Sequence, residues 1–129
     1  LRGGAKMPLL DPPPDGPIED RLLAVLSMLP PDRSEGVWQT MSYVIWQSRN
    51  DERWREVKSL LSGQGPAELI SMLFRQAADA GEISPDVDAD LLAEQLLGPI
   101  FLRRLFLERP TDRSYLHRLV SQTVSHLRA

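Results

Sequence analysis

The chain has no cysteine. Disulfide frameworks, thiol catalysis and cysteine-ligated zinc are thereby excluded, and a reducing cytoplasm is the compartment that fits. Positive charge is also scarce, with 15 Lys and Arg against 18 Asp and Glu for a formal net charge of −3. A protein that grips a nucleic-acid backbone needs a concentrated cationic surface. The densest basic stretch, residues 103–118, dilutes five arginines with Glu108 and Asp112 and reads as a solvated helix end. Long uncharged apolar runs are missing too: none approaches the roughly 20 residues needed to span a bilayer, so no membrane partner is expected. Residues 1–14 lack the apolar core of a signal peptide. No run alternates apolar and polar residues between hairpin turns, which leaves an all-α fold.

What is present is a helical chain behind a proline-rich lead. Residues 7–17, MPLLDPPPDGP, hold five prolines in eleven positions and read as an extended linker or loop. Residues 1–16 are therefore set apart from a helical domain over 17–129. The first residue is Leu1 rather than methionine, which leads us to expect a fragment with further function upstream.

Six helices are expected. The first covers residues 17–29, with Glu19 and Asp20 at its positive end and Ile18, Leu22, Val25, Leu26 and Leu29 on one face. Pro30-Pro31 ends it. A second, capped by Ser34, reaches Ser48 with Val37, Trp38, Met41, Val44 and Ile45 inward. A short third, capped by Asn50 or Asp51, carries Trp54, Val57, Leu60 and Leu61. The fourth spans 66–80 and stops at Gly81, burying Leu69, Ile70, Leu73, Phe74 and Ala77. The fifth covers 89–107. The sixth covers 112–127, with Tyr115, Leu116, Leu119, Val120, Thr123, Val124 and Leu127 inward.

Little in this pattern points to catalysis. Asp86, Asp88 and Asp90 alternate as in a calcium loop, but the glycine and distal glutamate of an EF-hand are missing. Asp88 reads instead as the cap of the fifth helix, with its neighbours at the positive end of the dipole. His117 and His126 lie nine positions apart on one helix and so point to opposite faces, which excludes a shared metal within the chain. No nucleophilic triad or phosphate-cradling glycine loop is placed, so neither an enzyme nor a cofactor is expected.

The aromatic residues are better organised. Trp38, Trp46 and Trp54 fall in the second and third helices at eight-residue intervals, about 80° around a helix. Trp38 and Trp46 can thus line adjoining parts of one face. Either they are ordinary core, or they line an apolar pocket with Met41, Ile45 and Phe74, where Ser42, Gln39 or Gln47 would anchor a ligand. Helical spacing alone does not separate the two.

The fifth helix raises a different question. Only five of its nineteen residues are polar, Asp90, Glu94, Gln95, Arg103 and Arg104, and they scatter around the wheel. A helix apolar on most sides needs cover on both. One side can meet its own domain and the other a second subunit, with the sixth helix antiparallel beside it. Two such pairs about a two-fold axis would form a four-helix interface. The seam would comprise Leu97, Gly98, Phe101, Leu102, Leu105, Tyr115, Leu116, Leu119, Val120, Thr123 and Val124. Gly98-Pro99 in mid-helix should bend or loosen it, since proline removes a donor and crowds the carbonyl of Gln95. The missing side chain at Gly98 would let another backbone approach.

The run GEISPDVDADLLAEQLLGPIFLRRLF, followed by ERPTDRSYLHRLVSQTVSHL, resembles the C-terminal end of tetracycline-repressor-like (TetR/AcrR) transcriptional regulators. In that family a long helix ends in a glycine turn such as AGEI. A Pro-Asp-x-Asp segment opens the first dimerisation helix, and a last amphipathic helix closes the chain. The likeness covers residues 66–128 through motifs and residues 17–65 through helix order. It implies an effector-binding region over 17–80, dimerisation helices over 87–128 and a homodimer. It also implies a small-molecule effector and operator DNA read through an N-terminal helix-turn-helix domain that these residues do not include. Repression relieved by an apolar or aromatic effector is the expected mechanism. The competing expectation is a structural or adaptor module that dimerises without a ligand.

Overall fold

In a computed structural model, the described residues are 15–29, 35–48, 52 and 65–128. The helix expected over 51–61, including Trp54, lies outside them, as do the Pro30-Pro31 stop, the Ser34 cap and the side chains of Val37, Met41, Val44 and Ile45. Among the described residues the fold is all-α: α1 (Ile18–Leu26), α2 (Glu35–Ser48), α3 (Pro66–Asp79), α4 (Ala89–Phe101) and α5 (Arg113–Ser125). A π-helical run, Leu102–Leu107, continues α4. There is no strand among them, only an isolated antiparallel bridge between Ile83 and Arg128.

α3 is the centre, with α1 and α4 packed against it. Its apolar stripe explains why: Ile70, Leu73 and Phe74 are wholly buried, and they meet the inward residues of α1 (Ile18, Leu22, Val25, Leu26) and of α4 (Ala93, Leu96, Ile100) in one core. Each fully buried side chain of this size contributes about 1.5–3 kcal/mol of transfer free energy. α5 joins that core through Val120 and Val124, and it lies chiefly against α1 rather than beside α4.

The helix ends follow from their sequences. Asp88 accepts a hydrogen bond from the Leu91 amide at 3.1 Å, and Asp112 one from the Tyr115 amide at 2.9 Å, so α4 and α5 carry side-chain N-caps. Pro66 occupies the first turn of α3, where its missing amide costs nothing. At the other end Gly81 takes φ +77°, a left-handed conformation that glycine adopts freely. The Glu82 amide then reaches back to the Ala77 carbonyl at 2.9 Å, closing a Schellman turn. That turn delivers Glu82 to α1, whose own cap position is Pro17 and supplies no side-chain bond. The Glu82 carboxylate accepts from the Ile18 amide at 2.6 Å instead, a cap donated from 64 positions away.

The Gly98-Pro99 pair does not break the helix. α4 runs through it to Phe101, and the winding widens only afterwards. The Leu102 amide lies between the carbonyls of Gly98 and Pro99. The widened run closes where the Glu108 and Arg109 amides both reach the Arg103 carbonyl, the latter at 2.9 Å. Glu108 itself turns the chain away at φ +51°. The loosening expected at the proline is therefore displaced to the residues that follow it. Among the described residues a Cβ placed on Gly98 would meet nothing within 4 Å, so no backbone among them uses the space that glycine leaves.

Candidate functional site

Two regions concentrate the residues singled out in the sequence. The first is the junction between α2 and the end of α4. α2 turns Trp38 inward until 2% of it remains exposed. The indole meets Phe101 edge to face, with ring centroids 5.8 Å apart at 64°, a favoured aromatic geometry. From the π-helical run, the Arg104 guanidinium lies 5.5 Å from the Trp38 ring centroid, within cation–π range. Arg104 is only 7% exposed, and it donates to the Arg109 carbonyl at 3.4 Å. A buried cation is stabilised here by an aromatic face and by the backbone of the turn that ends its own helix.

The other residues expected around a ligand separate. Phe74 belongs to the central core, Ser42 is half-buried on α2, and Trp46 is 64% exposed. Trp38 and Trp46 therefore do not share one buried wall, although their spacing allows it. Gln39 and Gln47 are exposed, as is Tyr43. Trp54 and the side chains of Met41 and Ile45 lie outside the described residues.

The second region is the outer side of α4, its π-helical extension and α5. Of the residues expected in a dimer seam, Leu97, Leu116, Val120 and Val124 are buried within this chain's own core. Phe101, Leu105, Tyr115, Leu119 and Thr123 are half-buried, while Gly98 and Leu102 are exposed. Leu91, Phe106 and Leu107 join Leu102 as exposed large apolar side chains, Phe106 at 67%. The winding has turned this segment inside out: an arginine points in and a phenylalanine points out. Arg103 lies across the Tyr115 ring at 4.1 Å and donates from Nε to the Pro110 carbonyl at 3.1 Å, tying the run to the start of α5.

Two polar nodes hold the helices that carry these regions. The buried Ser71 hydroxyl of α3 donates to Asp90 of α4, and Arg75 pairs with the same oxygen at 3.2 Å. The Ser71 hydrogen bond first, then Arg75, hold the Asp90 carboxyl below its ordinary pKa. Arg128 pairs with Glu19 and reaches Glu82 at 3.5 Å, while the Ser84 amide donates to the Leu127 carbonyl at 2.8 Å. Partial burial pushes the Glu19 carboxyl up, but its own backbone amide and Arg128 outweigh that and leave it lowered. Sequence reasoning missed both nodes and the seat of Arg104. The only local signal was Glu82 directly after the helix-ending glycine.

Chemically, these contacts tie the helices to one another and seat Arg104 on Trp38 and Arg103 on Tyr115. Among the described residues no three His, Asp or Glu side chains stand together as a metal site, and no helix is long and apolar enough to cross a membrane. Compared with known proteins, the chain matches the family model described as tetracyclin repressor-like, C-terminal domain, over residues 12–123. No curated protein matches it, and neither does any solved structure.

Proposed function

The chain belongs to the tetracyclin repressor-like C-terminal domain family, and from that premise we propose that it senses a small molecule and dimerises on behalf of a DNA-binding transcriptional regulator. In this reading the protein is a cytoplasmic repressor, released from its operator by an apolar or aromatic effector. Residues 17–80 contribute the effector-binding helices and residues 87–128 the dimerising ones. Operator DNA is read by a separate helix-turn-helix domain. The chain works by shifting populations: an effector that prefers one arrangement of the helices draws the dimer into it.

One observation carries the reading. The α4 helix and its extension bury one side in the core while Leu91, Leu102, Phe106 and Leu107 stay open on the other, around an uncrowded Gly98. Leu102, Phe106 and Leu107 fall within one six-residue run, and exposed large apolar side chains clustered in this way are a usual mark of an interaction surface. Sedimentation equilibrium tests it. The wild-type chain should dimerise at tens of micromolar, while Gly98→Trp and Leu119→Arg should yield folded monomers. A monomeric wild type removes the basis of the proposal.

A second reading, a dimerising adaptor without a ligand, draws on the packing around Trp38. Phe101 and Arg104 already occupy two sides of that ring, as they would in a filled core. Tryptophan fluorescence against a panel of apolar and aromatic compounds separates the two. A saturable change lost in Trp38→Phe favours the sensor, and a flat response across the panel favours the adaptor.

A further inference from the structure

The winding of residues 102–107 has no explanation in local sequence. A π-helix is rare; it occurs mostly as a single wide turn inside an α-helix, and frequently at functional sites. Here six residues, LRRLFL, take it up directly after α4. Arginine and leucine are good α-formers, so propensity does not ask for it. What the wide winding accomplishes is visible in its products. It sets Arg104 over Trp38, brings Arg103 onto Tyr115, and leaves Leu102, Phe106 and Leu107 outside.

Each π turn holds one residue more than an α turn. Relaxing the run to α-helix would therefore rotate its last residues by roughly 100°, one residue's step. Phe106 and Leu107 would swing off the face they now occupy, and Arg104 would draw away from the indole. Pro99 makes that exchange easier, because the ladder upstream already lacks one amide. The Glu108 turn supplies a stop that can take up the displaced residue.

We propose that Leu102–Leu107 is a register switch, held wide by Arg104 stacked on Trp38, whose relaxation to α-helix turns the apolar face formed by Leu102, Phe106 and Leu107. Among the described residues α2 packs on the run, with Trp38 as its buried side chain there, while α5 meets it through Tyr115 under Arg103. An event that moves Trp38 thus acts on the outer face of the dimerisation helix through the Arg104 pair and the Phe101 contact beside it. This rests on the reading above, in which α2 belongs to the effector-binding half, and it names the route from that half to the seam.

The test needs no effector. NMR on the full chain reads the register directly, through hydrogen-bond couplings and sequential contacts across residues 98–109. Wild type should show five-residue closure. Arg104→Met keeps the aliphatic stem and removes the cation. It should shift the run to four-residue closure and change the dimer dissociation constant at least tenfold, although residue 104 is buried. Arg104→Lys, which keeps a charge, should fall between the two, and it serves as the measured variant if Arg104→Met fails to fold. Unchanged five-residue closure in the folded variants, with dimer constants within twofold of wild type, overturns the switch. That result leaves the effector reading standing. Conversely, a flat ligand panel sinks the effector reading while a register change in Arg104→Met survives it.

Discussion

The two ends of α4 obey different rules. Its first half packs as a core helix should: Ala93 and Leu96 turn inward against α3, and the polar residues Glu94 and Gln95 turn out. Past Phe101, in the run that continues the helix, the assignment reverses, with Arg104 inside and Phe106 outside. Burial of apolar surface drives the first region, and its partners are all within the chain. In the second, apolar surface stays in water while a guanidinium is desolvated, which one chain alone would not favour. The second region is therefore the one for which contacts beyond this core are proposed, and its monomer conformation is the one expected to be less strongly determined.

Truncating one phenylalanine in each region should give the largest difference between them. Phe74→Ala removes a wholly buried ring from the meeting point of α1, α3 and α4 and should cost about 3–5 kcal/mol in urea unfolding. Phe106→Ala removes an exposed ring and should change monomer stability by no more than about 0.5 kcal/mol. The same substitution should weaken self-association measured by sedimentation. Equal costs at the two positions would erase the distinction drawn above.

Helix caps give the next effect. Asp88→Ala and Asp112→Ala each strip a side-chain acceptor from a helix N-terminus and should cost about 1 kcal/mol by thermal or urea unfolding. Asp88 caps the well-determined half of the pair and Asp112 the helix beyond the widened run. If the second region is only loosely fixed, Asp112→Ala should also raise amide exchange across residues 102–109, and Asp88→Ala should not.

Much of the first region was legible in the sequence because its determinants are local. Period 3.6 fixes the buried faces of α1 and α3, Gly81 ends α3, and Asp88 and Asp112 open the last two helices. The second region was not legible for a physical reason. In LRRLFL the apolar and charged residues fit an α-wheel as readily as a π-wheel, and the choice between them rests on a tertiary partner, Trp38, more than sixty positions away. The sequence likewise offered Leu97, Leu116, Val120 and Val124 for a seam, since an apolar position on a two-sided helix does not declare which side it serves. The Trp38 and Trp46 pair shows the same ambiguity: their spacing permits a shared face, and the structure buries one and exposes the other.

A smaller effect appears only in acid. The Ser71 hydroxyl and Arg75 lower the pKa of Asp90, which ties α3 to the first turn of α4. A carboxyl whose folded pKa lies below its unfolded value of about 4 contributes fully above that value. The contribution is lost as pH falls through the folded pKa. Asp90→Asn should therefore flatten the decline of stability below about pH 4 and leave the slope near neutrality unchanged. Ser71→Ala removes the larger of the two causes and should flatten it partly. The exposed apolar side chains of the second region have no counterpart to this tie, so Phe106→Ala should leave the acid limb as steep as in wild type.

The smallest expected change concerns the residue that ends the widened run. Glu108 is the only non-glycine with positive φ among the described residues, at φ +51° and ψ +44°. A side chain in that conformation crowds its own carbonyl and costs about 1–2 kcal/mol. Glycine escapes that cost but loses more conformational freedom on folding, which offsets about half of it. Glu108→Gly should thus raise the unfolding free energy by about 0.5 kcal/mol, read from the urea midpoint at constant m-value. If the run also exists in an α register, where residue 108 is no longer left-handed, the gain belongs to the π register alone. The substitution then shifts the population toward the wide winding, and amide exchange at residues 103–107 should slow together with the gain in stability. A stabilised protein whose exchange in that run is unchanged would mean that the second region has a single register, as firmly set as the first.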